Sequence, residues 1–268
     1  MRDDPTQFVG SIPDFYDKGL GPVIFAGPAD YVAGRVAALK PSRVLETAAG
    51  TGIVTQRLRA ALSSDGHIVA TDLNAAMLEV SKRKFGPGAS IDFEVADATD
   101  LRFGDGEFDV VLCQFGVMFF PDKDKGYREA LRVLKPGGRF LFSVWDTHEH
   151  NPFARVVSNV MRQSFDADPP PFMNVPFGYA SIDAIKAALQ ANGFGELRAD
   201  VARLAGPIAD FDAFAAGQVF GSPLAGQLRE RGVDAEKLKI EVANAFRREF
   251  GEANSTPLQF IVFEAAAA

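Results

Sequence analysis

The chain has 268 residues, 47% of them apolar and 24% charged, with 28 basic against 35 acidic side chains and a net charge of −7. That length can bury one sizeable core. The acidic balance argues against a broad phosphate-binding surface, and so against nucleic acid as a partner. No apolar run is long or uniform enough to span a bilayer, and the start, MRDDPTQF, is acidic rather than signal-like, so a soluble cytoplasmic protein with no membrane partner is expected. Cys113 is alone, which leaves no disulfide framework and no Cys metal cluster, and its place in the apolar VVLCQF run predicts a buried thiol.

The predicted elements begin with FYDKGLGPVIFAGPADYVAGRVAAL, whose aromatic, glycine-rich start leads into a helix from about Pro28. Residues 1–40 read as an N-terminal lid. From Pro41 onward β-type and helical patterns alternate: strand 43–47, helix 53–62, strand 67–72, helix 74–84, strand 91–95, strand 108–113, helix 122–134 and strand 138–145. NPFARVVSNVMRQSF predicts a helix, and DPPPFMNVPFGYA a loop because its prolines forbid regular pairing. SIDAIKAALQANGF has a Ser cap, helical apolar spacing and an Asn-Gly stop. LRADVARLA reads as a strand, DFDAFAAGQVF through AFRREFG as mostly helical, and PLQFIVFEA as the last strand. No internal repeat or long linker interrupts the series.

The densest chemical signal lies in VLETAAGTGIVT, residues 44–55, followed by VATDLN, residues 69–74. A parallel strand ending at Glu46 enters a turn where Ala48, Gly50 and Gly52 have little or no side chain, so a ligand can approach the main chain. The helix from about Ile53 then offers unpaired N–H groups. Asp72, ending the next strand, is placed to accept both hydroxyl hydrogens of a ribose.

These residues resemble the first motif of the class I S-adenosylmethionine-dependent methyltransferases, acid-x-Gly-x-Gly-x-Gly, read here as Glu46, Ala48, Gly50 and Gly52. Ala48 departs from the motif, and its methyl is expected to fit only with a negative φ and room on the wall opposite. Further landmarks follow in order: Asp97 in FEVADATDLRF, at the position that usually meets the adenine amino group; FDVVLCQFGVMFF as the fourth strand and its exit; and LRVLKPGGRFLFSVW as a helix end, a Lys-Pro-Gly-Gly turn and the fifth strand. The wording of CQFGVMFFPD and KPGGRFLFSVWD looks closest to bacterial small-molecule enzymes related to the quinone-biosynthesis C-methyltransferases.

The resemblance implies an α/β fold: a Rossmann-like, doubly wound seven-stranded sheet whose last strand inserts antiparallel beside the fifth. It implies one domain, with the lid at 1–40, the core at 41–205 and 257–268, and a helical insertion at 206–256 that caps an acceptor pocket. It implies S-adenosyl-L-methionine as cofactor, contacted by Glu46, Ala48, Gly50, Gly52, Asp72, Leu73, Asp97, Ala98 and Gln114, with Tyr16 covering the methionine moiety from the lid. A side chain at Gly50 or Gly52 is expected to obstruct that donor more than it harms the fold. Of Phe115, Met118, Phe119 and Phe120, one or two are expected to line the acceptor pocket.

The implied reaction is methyl transfer to a small, apolar or aromatic molecule. It needs no metal, and no metal-ligand or Ser-His-Asp spacing occurs in the sequence. His148 and His150 read as exposed loop residues among polar neighbours and His67 as a turn-flanking surface residue, so no catalytic base is named. Two other readings stay open at this point: a nicotinamide-dependent oxidoreductase, whose ribose Asp72 would suit equally, and a non-catalytic S-adenosylmethionine-binding protein.

Overall fold

The computed structural model describes residues 8, 10–165 and 174–267. The prolines of the expected 168–180 loop lie in large part outside the described residues.

A seven-stranded sheet runs in the order β3-β2-β1-β4-β5-β7-β6. The strands are β1 Arg43–Glu46, β2 His67–Asp72, β3 Ile91–Val95, β4 Phe108–Gln114, β5 Leu134–Trp145, β6 Phe194–Pro207 and β7 Ser255–Ala267. β1 to β5 pair in parallel. Helices cover both faces, so β1, β2 and β4 are buried almost throughout, as their unbroken apolar runs require. β7 enters antiparallel between β5 and β6, with Phe142 opposite Phe263 on one side and Ala202 opposite Phe260 on the other. The expected insertion therefore joins two antiparallel neighbours.

Strand order reverses between β1 and β4, which places a crevice at their carboxyl ends. Four core helices frame it: α3 Ile53–Ala61, α4 Ala75–Lys82, α5 Lys123–Val133 and, from the lid, α2 Ala26–Ala38. The expected Lys-Pro-Gly-Gly turn proves to be a bulge inside β5. Pairing with β4 passes from Phe108–Leu134 to Val110–Arg139, and Gly137 takes a φ of +76°.

The lid differs more. A helix was expected from Pro28, yet helical backbone runs continuously from α1 Ile12–Phe15 through a wide π-helical stretch, Tyr16–Phe25, into α2. Gly19, Gly21 and Pro22 weaken ordinary helix propensity there. Packing overrides propensity, because Gly19 lies against the insertion so closely that a Cβ on it would fall 2.4 Å from the Ala213 carbonyl oxygen. The wider i to i+5 turn is visible where the Ala26 N–H donates to the Gly21 carbonyl.

The C-terminal half supplies α6 Pro152–Ser164, α7 Asn174–Phe177 and α8 Ile182–Ala191. The insertion is built from α9 Phe211–Phe220, α10 Leu224–Glu230 and α11 Ala235–Phe250. Two of its helices are capped by aspartates: the Asp210 carboxylate accepts from the Asp212 and Ala213 N–H groups, and Asp234 from those of Glu236 and Lys237. Ser181 caps α8, and Gly193, at a φ of +94°, ends it.

Candidate active site

A cavity of about 470 Å³ opens at the carboxyl ends of β1, β2, β3 and β4. Each strand contributes through the turn that follows it: Ala48 and Gly50 after β1, Asp72 and Leu73 at the end of β2, Asp97 and Ala98 after β3, and Gln114 closing β4. Tyr16 reaches the same space from the lid. Eight of the ten residues singled out in the sequence thus share one cavity, whereas Glu46 and Gly52 lie outside its lining.

Asp72 organises the floor. Its Oδ2 accepts the Gly50 N–H at 2.8 Å and its Oδ1 accepts the Asn74 N–H at 2.8 Å, so the carboxylate ties the first turn to the second. Two oxygens offer about four acceptor sites, which leaves capacity for a ligand. Asp72 is 7% exposed, and burial raises its pKa against the opposing bonds from Asn74 and Gly50. Behind it Glu46, 2% exposed, is pushed up to about 8 by burial, with the Thr55 hydroxyl opposing and the Asp72 charge adding. Glu46 is therefore a neutral acid over much of the ordinary pH range, packed beneath the turn.

The two glycines of the turn do different work, which corrects the expectation that treats them alike. Gly50, at φ +58°, borders the cavity, and a Cβ on it would meet only the Met77 methyl at 3.5 Å. Gly52, at φ +79°, faces α4 instead, where a Cβ would fall 2.0 Å from the Ser81 hydroxyl oxygen. A side chain at Gly52 would push α3 and α4 away from each other rather than obstruct a ligand. Ala48 also departs from expectation, since its φ is +52° rather than negative, a conformation that costs an L-residue about 1–2 kcal/mol. Its methyl is accommodated because the wall opposite is Gly116, where a Cβ would come within 2.5 Å of the Ala48 Cβ.

Asp97 divides its carboxylate between turn and cavity. Oδ1 accepts both the N–H and the hydroxyl of Thr99, each at 2.8 Å. The buried Gln114 Oε1 at the cavity edge has no hydrogen-bond partner. No lysine or arginine lines this cavity among the described residues, while Asp72 and Asp97 both do. Such a lining suits a cationic ligand over a phosphate.

A second cavity, of about 90 Å³, adjoins the first and is mainly apolar. Phe8, Tyr16, Phe115 and Phe119 belong to both linings and form the partition. Phe115 has a φ of +54°, rare for a bulky residue, and its ring stacks on Trp145 at 3.9 Å with the planes 5° apart. The remaining wall comes from Leu20, Ile24 and Phe25 of the lid, from Phe153 and Phe177, and from Gln218, Gly221 and Ser222 of the insertion. Of the aromatic run, Phe115 and Phe119 line this cavity. Phe120 faces the larger cavity alone, and Met118 is buried without lining either.

The N-terminal segment is tied down beside Asp72. Lys84 at the end of α4 pairs with Asp17, and the Phe8 N–H donates to Asn74 Oδ1 at 3.4 Å. Tyr16 stacks on Phe25 at 4.7 Å, and burial, with Asp72 and Asp17 nearby, raises its hydroxyl well above its ordinary pKa. It stays a neutral phenol at the cavity junction.

The histidines do not enter this chemistry. His150 is exposed as expected, but His148 is half-buried with its ring 4.5 Å from that of Phe177, and neither lines a cavity. His67 contacts Asp92 at 2.8 Å on the sheet edge. Cys113 is fully buried, and burial pushes its thiol up to about 11. Sequence reasoning missed Asn74, Met77 and Phe8 as lining residues; Asn74 was visible as the residue closing VATDLN, while nothing local marks the other two.

The sequence profile of the ubiE/COQ5 methyltransferase family matches residues 28–174, more than half of the chain. A demethylmenaquinone methyltransferase of Clavibacter sepedonicus is 43% identical over 112 residues, which are 42% of this chain and 44% of that protein. The ubiquinone/menaquinone biosynthesis C-methyltransferase UbiE of Pseudomonas aeruginosa strain LESB58 is 37% identical over 129 residues, 47% of each chain. The match thus spans just under half the length of these relatives. Among solved structures, the YcgJ protein of Bacillus subtilis superposes with a TM-score of 0.55 at 18% identity, over 90% of this chain and 98% of that one, a likeness of fold. No helix among the described residues is long and apolar enough to cross a membrane.

Proposed function

The chain belongs to the ubiE/COQ5 methyltransferase family, and on that premise we propose that it transfers a methyl group from S-adenosylmethionine to a carbon of a small oxygenated aromatic, quinol-like molecule. The observation that carries this reading is the pairing of two cavities: a larger one lined by carboxylates with no cation, and a smaller aromatic one behind a shared partition. The first fits the donor in charge and shape. Asp72 has acceptor capacity for ribose hydroxyls, Gly50 leaves the main chain open to approach, and the unpartnered Gln114 Oε1 would accept from the donor's ammonium group. Asp97 and Ala98 would border the adenine, and Leu73 would cover its face. Glu46 and Gly52 would support the turn from behind. A nicotinamide cofactor is disfavoured because the first turn reads Ala-Ala-Gly-Thr-Gly rather than G-x-G-x-x-G and the family match is to methyltransferases.

When bound, the donor supplies an already activated methyl group. The protein's own role is to orient and to exclude water. The Phe8, Tyr16, Phe115 and Phe119 partition stands between the two sites, and the aromatic cavity, about 90 Å³ as it stands, would take a flat ring beside Phe115 and Trp145 once that partition moves aside. The names of the curated relatives point to quinone precursors as acceptors, and the aromatic lining supports that class. Calorimetry with S-adenosylhomocysteine should give saturable binding, and incubation with S-adenosylmethionine and a demethylated quinol should add the mass of one methylene to the quinol. Binding of NAD in place of S-adenosylhomocysteine would defeat the proposal.

A further inference from the structure

The aromatic cavity contains one feature that an apolar site does not need. Gln218 of α9 lines it, is 6% exposed, and its buried Nε2 has no hydrogen-bond partner. A buried amide donor left unsatisfied is destabilising, and pockets that bind small molecules use a few such groups to fix orientation. The backbone on either side of Gln218 is closely packed against the N-terminal segment. Gly217, immediately before it, meets the lid backbone, where a Cβ would fall 2.9 Å from the Gly19 Cα; Gly221, one turn on, meets the Tyr16 N at 2.9 Å by the same measure. Phe115 and Trp145, stacked on one another, line the same cavity.

We propose that Gln218 is the residue that selects and orients the acceptor, its carboxamide N–H donating to a carbonyl or hydroxyl oxygen of an aromatic ring lying in this cavity. The inference rests on the reading of the aromatic cavity as the acceptor site. It predicts discrimination by oxygen content: a ring bearing oxygen completes the bond, whereas a hydrocarbon of the same shape leaves the donor unpaired, which a site of this kind rejects.

The test exploits Trp145, the single tryptophan of the chain, which lines the cavity. The only cysteine is fully buried, which limits thiol addition to quinones. Quenching of Trp145 by 1,4-naphthoquinone, with S-adenosylhomocysteine present, reports binding, and 1,4-dimethylnaphthalene serves as the competing hydrocarbon of similar shape. The parent should prefer the quinone by about tenfold or more, and Gln218→Met should bring the two within about twofold. A preference undiminished in Gln218→Met, or equal affinity for both probes in the parent, overturns the role of Gln218 and leaves the aromatic acceptor site standing. Failure of both probes to bind the parent, with S-adenosylhomocysteine still bound, overturns both. Should Gln218→Met not fold, infrared difference spectra of the parent decide the matter: one carbonyl stretch of bound 1,4-naphthoquinone should shift to lower wavenumber, and two unshifted carbonyls would exclude the bond.

Discussion

Gly19 of the lid and Gly217 of the insertion meet backbone to backbone, so closely that a Cβ on Gly217 would lie 2.9 Å from the Gly19 carbonyl carbon. Segments far apart in sequence are thereby joined beside the aromatic cavity, and their motions are expected to be coupled. Gly217→Val should force this seam apart and cost about 1–3 kcal/mol, the range for overpacking. Hydrogen exchange should then quicken in residues 16–25 and 211–220 together. Faster exchange in the insertion alone would show that the two move independently.

The two glycines of the first turn should separate by phenotype. Gly50→Val should abolish S-adenosylhomocysteine binding while keeping a cooperative melt, because its side chain would enter the cavity. Gly52→Ala should lower stability by roughly 2 kcal/mol, through collision with Ser81 added to left-handed strain. Ser81→Gly in the same chain should recover some of that loss. A Gly52→Ala protein as stable as the parent would contradict the helix contact.

Ala48 offers the opposite experiment. Alanine to glycine ordinarily costs about 0.5–1 kcal/mol, but at φ +52° the relief of strain opposes that loss, so Ala48→Gly should be neutral or stabilising by up to about 1 kcal/mol. Urea denaturation measures it, and a clear destabilisation would mean that the Ala48 methyl against Gly116 matters more than backbone strain.

Asp72→Ala should weaken S-adenosylhomocysteine binding by roughly 2 to 4 kcal/mol, from the loss of hydrogen bonds to a charged group. Some of the effect should come from the turn, since Gly50 and Asn74 also lose their acceptor. Asp72→Asn keeps one carboxamide oxygen and should lie between. Equal calorimetric affinity in all three proteins would remove Asp72 from the donor site.

Glu46 makes stability depend on pH in an unusual direction. Its folded pKa, about 8, exceeds the ordinary 4.5, so the folded state holds the extra proton across that interval. Stability from this group is complete below about 4.5 and declines as pH rises toward 8, by up to about 5 kcal/mol. Glu46→Gln should flatten that decline in denaturant midpoints between the two pH values. An unchanged slope would show that Glu46 titrates normally.

The strand, turn and helix around Glu46 to Thr55, and the acid ending VATDLN, were legible from sequence because each is local: apolar runs set the strands, and small residues set a turn that few other backbones can make. The cavity residues after β1 to β4 followed from that order, since parallel strands place all their carboxyl ends on one side. What separated Gly50 from Gly52 was not local. Both are glycines at positive φ in the same turn, and only the approach of Ser81 from α4 decides which one the fold requires and which one a ligand can use. The helical backbone before Pro28 was hidden for the same reason, its glycines and proline reading as helix breakers until Ala213 and Gly217 pack against them and make close approach worth more than propensity. Gln218 and Phe8 likewise carry no signal in their own segments. Their place in the site exists only because the insertion and the lid close over one cavity, a juxtaposition that chain topology creates and no neighbouring residue encodes.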